Sequence, residues 1–243
     1  SLKEFEEIKK ISKNKFIATT YNYTGYPMVR EIKELCKNNF FGKINKIFVE
    51  MPSGPYLEKN AKVAKWRLKD ANIPNAYMDL GSHVFSLIYF ITNNFPVTLV
   101  SNSNTHGKFK KVKDDLMSFG KLKNNCDFNV WFSKSALGYD NGLKVRIFGQ
   151  KASCEWEQTN PEAIYVSKND KRYFKIDRGS FYSKISKMKR YNHFKPGHPS
   201  GFLEAFANLY YDISLQLKIF KKKGKKKNKN IFDFDQSYKI FKV

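Results

Sequence analysis

Leu2, Phe5, Ile8 and Ile11 recur at helical spacing behind early acids, which predicts an amphipathic helix over residues 2–12. Lys15–Thr20 then reads as a short buried strand, so the chain opens like half of an α/β repeat. A second helix is predicted over Tyr26–Asn39, with Pro27 in its first turn, Val29, Ile32 and Leu35 on one face, and Gly42 beyond its end. Ile44–Met51 alternates like a strand. The polar stretch from Pro52 to Pro74 reads as a long loop, a length that favours function, and Asp79–Thr92 as a helix apolar on most faces. From Pro96 the period changes to two. Strands are predicted at Leu99–Asn104, Asp115–Leu122, Phe128–Ala136, Lys144–Gly149, Ala152–Glu157, Ile164–Ser167 and Tyr173–Ile176, several parted by Asn, Asp and Gly turn signals. Gly201–Phe220 returns to helical spacing, and Ile231–Val243 looks like the lead into a last helix. Strands joined by short turns make an α+β fold, with a large, mostly antiparallel open sheet and helices packed on one face.

Composition narrows the class. Of 243 residues, 41% are hydrophobic, including 22 Phe and 14 Tyr, which excludes a disordered polyelectrolyte. The longest apolar stretch, Val84–Thr92, is too short to span a bilayer, and the charged start SLKEFEEIKK shows no secretory signal. Cys36, Cys126 and Cys154 are widely spaced and form no CxxC pair. They suit a reducing cytoplasm and give neither a disulfide framework nor a metal site. Lys and Arg number 45 against 22 Asp and Glu, a net charge of +23. Eight lysines crowd into residues 218–229 and read as a solvated surface loop, while the rest are scattered and arginine is scarce. That distribution favours a lysine-rich surface over a nucleic-acid footprint.

GxGxxG, a P-loop, GxSxG and HExxH are all absent. Asp79 and His83 stand four apart at a helix start, which puts a carboxylate and an imidazole on one face. A carboxylate there can orient the ring and raise its pKa, as a general acid/base needs. The spacing also fits Asp79 as a helix cap and His83 as a core residue. His198, in Pro196-Gly197-His198-Pro199, can bind substrate or cap the next helix. Trp66 and Arg67 can stack on and fork a polyol or carboxylate, or simply pack. Tyr21, Tyr23 and Tyr26 can line a pocket after the first predicted strand, or serve as half-buried wall.

In order along the chain, residues 1–35 with Phe41-Gly42-Lys43-Ile44, Lys65-Trp66-Arg67, Tyr77-Met78-Asp79-Leu80-Gly81-Ser82-His83 and the segment Gly197–Tyr210 resemble the Gfo/Idh/MocA family of NAD(P)-dependent oxidoreductases. The resemblance implies that residues 1–22 are the last helix–strand unit of a nucleotide-binding Rossmann domain and 23–243 a substrate-binding and oligomerisation domain. It implies Asp79 and His83 as catalytic residues, the imidazole taking or returning the hydroxyl proton of a sugar or polyol. Arg67, Trp66, Tyr21 and His198 become substrate-binding residues. NAD or NADP is the implied cofactor, held upstream of Ser1, because the glycine-rich loop and the E-K-P lysine of the family have no counterpart in this sequence. The chain by itself is therefore expected to be inactive as a dehydrogenase. A homo-oligomer formed through the sheet face is also implied, with no membrane partner. A non-catalytic sugar-binding or assembly protein of the same fold is the alternative.

Overall fold

The computed structural model describes residues 2–12, 14–224 and 227–242. Eight strands form one sheet: β1 (Ile44–Pro52), β2 (Pro96–Asn104), β3 (Asp115–Leu122), β4 (Asp127–Ser133), β5 (Lys144–Gly149), β6 (Ala152–Glu157), β7 (Ala163–Lys168) and β8 (Tyr173–Asp177). Their spatial order is β2-β3-β4-β1-β5-β6-β7-β8. Every neighbouring pair is antiparallel except β1 with β4, which run parallel at the centre. The fold is the expected α+β arrangement.

Alternation fixes which face is buried. On β3, Leu116, Ser118 and Leu122 are buried while Met117 and Phe119 face outward. Ile47, Val49, Phe128, Phe132, Val145 and Ile147 extend the same inner face across the sheet centre. Helices α2 (Pro27–Lys37) and α3 (Ser82–Thr92) cover it, burying Val29, Ile32, Val84, Phe85 and Ile88 in one core. Helix α4 (Phe202–Lys221) lies on the tight turn Asn22–Gly25. The approach is close enough that a Cβ on Gly25 would sit 1.9 Å from the Ala205 carbonyl oxygen, so only glycine fits there. Helix α5 (Phe234–Phe241) packs on α3 and on α1 (Leu2–Ile11), where Phe5 meets the rings of Phe234, Tyr238 and Phe241.

Two expectations change. Lys15–Thr20 is not a strand of the sheet: it runs extended and pairs only through an isolated bridge between Thr19 and Phe232. An apolar run becomes a strand only beside another strand, and both sheet edges, β2 and β8, lie elsewhere. The helix predicted from Asp79 begins instead with a wide π-helical turn, Tyr77–Gly81, that runs straight into α3. Of the lysine-rich segment, Lys218 and Lys221 close α4, and Lys225 and Lys226 lie outside the described residues. No helix among the described residues is long and apolar enough to cross a membrane.

Candidate active site

The parallel strands β1 and β4 end side by side, tied past their ends by the Ser53 N–H and hydroxyl, both donating to the Ser133 carbonyl (2.8 and 2.9 Å). Just beyond them opens a pocket of about 190 Å³, lined by Tyr23, Arg67, Asp79, His83, Lys134 and Asn141 among others. Carboxyl ends of neighbouring parallel strands commonly carry sites, since the chain diverges there and leaves a crevice.

The π-helical turn sets Asp79 at the mouth of α3, and insertions of this kind recur where a helix must aim a functional side chain. Its carboxylate is gripped from two sides. Arg67 donates from Nη2 to Oδ1 at 3.1 Å and lies 3.0 Å from Oδ2, while Lys134 Nζ lies 3.1 Å from Oδ2. Burial acts to raise the Asp79 pKa, but Lys134 and Arg67 outweigh it and hold the carboxyl below the usual range. Asp79 is therefore ionised at neutral pH. Arg67 is steadied in turn by Trp66, whose ring its guanidinium faces at 4.5 Å, and Asn75 donates to the Trp66 carbonyl.

His83 sits on the first turn of α3, wedged edge-on between Tyr21 and Tyr23 at centroid distances of 5.7 and 5.2 Å. Its Nδ1 is buried without a hydrogen-bond partner. Burial lowers the imidazole pKa, Asp79 pulls it back up, Lys134 pushes it down, and the balance is a lowered value. This reverses the direction expected from spacing alone: Asp79 spends its charge on two cations, and the tyrosine walls strip water from the ring. The ring is thus neutral at pH 7 and able to accept a proton. The same shift has a cost on acidification. As pH falls below the ordinary histidine value near 6.5, the unfolded chain takes up a proton that folded His83 resists, so stability declines. Because Lys134 lowers the His83 pKa, Lys134→Gln is expected to raise it; the His83 ring protons followed by NMR across pH 4–8 report this, and an unmoved midpoint would refute the coupling.

Of the residues singled out in the sequence, Asp79, His83 and Arg67 meet at the pocket, and Tyr21 backs the imidazole without lining the cavity. Trp66 is more than half exposed and touches the site only through Arg67. His198 is not brought in. Its exposed ring stacks on Phe194 and its carbonyl accepts from Arg178, and it is not among the residues lining the pocket. Tyr23 lines the pocket, whereas Tyr26 is core against Trp156. Lys134 and Asn141 escaped the sequence reading. Asn141 carries only a turn signal there, yet its amide donates to Gln158 at 2.8 Å and lies 3.5 Å from the Tyr23 hydroxyl. No group of His, Cys, Asp and Glu able to hold a metal exists among the described residues.

A one-sheet α+β domain with a histidine–aspartate pocket at the ends of its central parallel strands defines the class, and the sequence profile of the GFO/IDH/MocA C-terminal domain matches residues 29–155, more than half of the chain. The chain belongs to the GFO/IDH/MocA family. It is 23% identical over 226 residues to the uncharacterized oxidoreductase YfiI of Bacillus subtilis, covering 88% of this chain and 57% of that protein. Among solved structures, an inositol dehydrogenase homologue of Azotobacter vinelandii in complex with NAD+ superposes with a TM-score of 0.86 at 19% identity, over 100% of this chain and 65% of that one. A levoglucosan dehydrogenase in complex with NADH and L-sorbose gives 0.80 at 16% identity, over 99% and 65%. The chain thus spans between about half and two thirds of the length of the proteins it resembles.

Proposed function

We propose that this chain is the substrate-binding part of an NAD(P)-dependent oxidoreductase that acts on a hydroxyl group of a sugar or polyol. The observation that carries this reading is a half-buried imidazole with a buried, unpartnered Nδ1, in one pocket with a carboxylate held by Arg67 and Lys134. Oxidising a secondary alcohol to a ketone removes a proton from oxygen and a hydride from carbon. His83 is suited to take the proton, and the Asp79 charge favours the imidazolium that forms. Arg67, Lys134 and Asn141 offer donors to neighbouring hydroxyls.

The starts of α2, α3, α4 and α5 do not fit the pyrophosphate of a dinucleotide. Helix α2 starts with Pro27, Met28 and Val29 all buried; α3 continues from the π-helical turn; the starts of α4 and α5 are filled by the carboxylates of Glu204 and Asp233. A pyrophosphate finds no free amide cradle in these places. We therefore place NAD or NADP, the hydride acceptor, on residues other than these and derive no step through it. On this reading the 243 residues alone do not oxidise a polyol.

The test is a panel of cyclic polyols and hexoses titrated into the protein while the His83 ring resonances are observed. Binding that moves those resonances, and that Asp79→Asn weakens at least tenfold, is expected. A panel in which nothing binds, or in which Asp79→Asn changes nothing, would overturn the reading.

We also propose that the outer sheet face joins two copies of the chain. Val100 pairs with Phe119 and Trp131 with Met117 across β2, β3 and β4, and Phe48 and Phe148 continue the apolar surface on β1 and β5. Val100, Met117 and Phe119 are each more than half exposed, an unusual cost for an isolated sheet face. Phe119→Asp is expected to yield monomers in sedimentation at concentrations where the unmodified chain is dimeric or larger. A monomeric unmodified chain counts against the interface.

A further inference from the structure

Arg67 grips Asp79 from a segment that packing does not hold. The single turn Lys65–Arg67 has no buried residue, and it lies in the long connection between β1 and α3. One side chain fastens it. Asn75 is buried, 7% exposed, two residues before the π-helical turn and four before Asp79. Its amide donates to the Trp66 carbonyl at 3.1 Å and to the Lys69 carbonyl, so it ties the backbone on both sides of Arg67. Its own N–H donates to Asp70 Oδ1 at 2.8 Å, and Asp70 Oδ2 accepts the Lys113 N–H at 2.6 Å. The next residue, Asp114, accepts the Lys134 N–H on its carbonyl at 2.7 Å. Two neighbouring residues just before β3 thus hold the backbone of both cations that reach Asp79.

We propose that Asn75 is a positioning residue that fixes Arg67 on Asp79 and so sets the donors that meet the substrate. Its effect on substrate binding rests on the polyol reading of the pocket, whereas its grip on Arg67 is internal to the chain. The Arg67 side chain is 34% exposed, and an ion pair that open to water does not by itself order the loop beneath it. Asn75 removes that freedom at its root, because the same residue leads into the turn that carries Asp79. Donor and acceptor are therefore mounted on one set of hydrogen bonds. Alanine at position 75 would free the Trp66 and Lys69 carbonyls, let the Arg67 turn move away and leave Asp79 to Lys134. The charged and titratable groups that face Asp79 are Arg67 from this connection, Lys134 from the end of β4 and His83 from α3, and the Tyr23 and Tyr56 hydroxyls also sense its charge.

The experiment follows the Asp79 carboxyl carbon by NMR through a pH titration of the whole chain, with polyol binding measured on the same protein. Asn75→Ala is expected to raise the Asp79 midpoint by about half a pH unit or more, because part of the Arg67 charge that holds it down is lost. Affinity for the polyol that the panel selects should fall roughly 2–10-fold. In an Arg67→Met background the same substitution should change neither readout further, since a residue that acts through Arg67 then has nothing to position. In the unmodified chain both Asn75 side-chain amide protons should exchange with water about tenfold or more slower than a free amide, a readout that needs no variant to fold. An unmoved Asp79 midpoint, additive effects with Arg67→Met, undiminished affinity for a polyol that the unmodified chain binds, or fast amide exchange would each overturn the proposal. A raised midpoint with no polyol bound by any chain would instead overturn the polyol reading and leave the placement of Arg67 by Asn75 supported.

Discussion

Replacing Glu31 by alanine is expected to lower the thermal midpoint by roughly 6–20 °C, following from about 3–5 kcal/mol at 2–4 °C per kcal/mol for a chain of this size. Glu31 is fully buried on α2, and its carboxylate accepts the backbone N–H groups of Lys184 (3.0 and 3.1 Å), Ile185 (2.8 Å) and Ser186 (2.7 Å). Those amides belong to the connection between β8 and α4, which has no ladder to satisfy them. Alanine orphans three donors at once, each worth about 1–3 kcal/mol when buried without a partner, with some relief from removing a buried charge. Glutamine keeps one oxygen but turns an NH2 toward the same amides, so it is expected to recover only part of the loss. The consequence reaches the active site. The connection delivers α4 onto Gly25, and that contact sets the turn carrying Tyr21 and Tyr23 against His83. Scanning calorimetry settles the point: a midpoint within about 3 °C of the unmodified chain would mean that Arg178, bonded to Tyr191, His198 and Glu162, holds the connection alone.

What the sequence reveals here is what one buried face imposes. The alternation at Leu116, Met117, Ser118 and Phe119 locates β3 residue for residue, because a one-residue slip would turn Phe119 into the core and Leu116 out of it. The same logic fails at Lys15–Thr20, where the pattern is equally strand-like but no strand lies alongside. Asp79 and His83 are legible because one helix turn brings them together. Lys134 is not, since it reaches Asp79 only because the end of β4 packs against the π-helical turn, at a sequence separation no local period records. Spacing also misjudged the imidazole. It counted the carboxylate and not the two tyrosine rings, and in a low-dielectric wedge desolvation outweighs a charge already shared between two cations.

His83→Ala is expected to reduce oxidation of the polyol that the binding panel selects by about 10²–10⁴-fold, the usual worth of a positioned proton acceptor, or about 3–5 kcal/mol of barrier. The assay uses the protein isolated from its source, with NAD or NADP supplied. Because the ring is one of several groups lining the pocket, polyol affinity should fall far less than the turnover rate, placing the loss in kcat rather than KM. The pH profile separates a base from a mere wall. A proton acceptor works in its neutral form, and burial lowers the His83 pKa, so the acid limb should lie below pH 6.5. Lys134→Gln removes a cation that helps keep the ring neutral, so the limb should move to higher pH while Asp79 stays paired to Arg67. A purely structural His83 would give neither result. If the alanine variant keeps activity within about threefold, or the acid limb ignores Lys134, the pocket binds its polyol without doing the proton transfer, and the non-catalytic binding protein becomes the better reading.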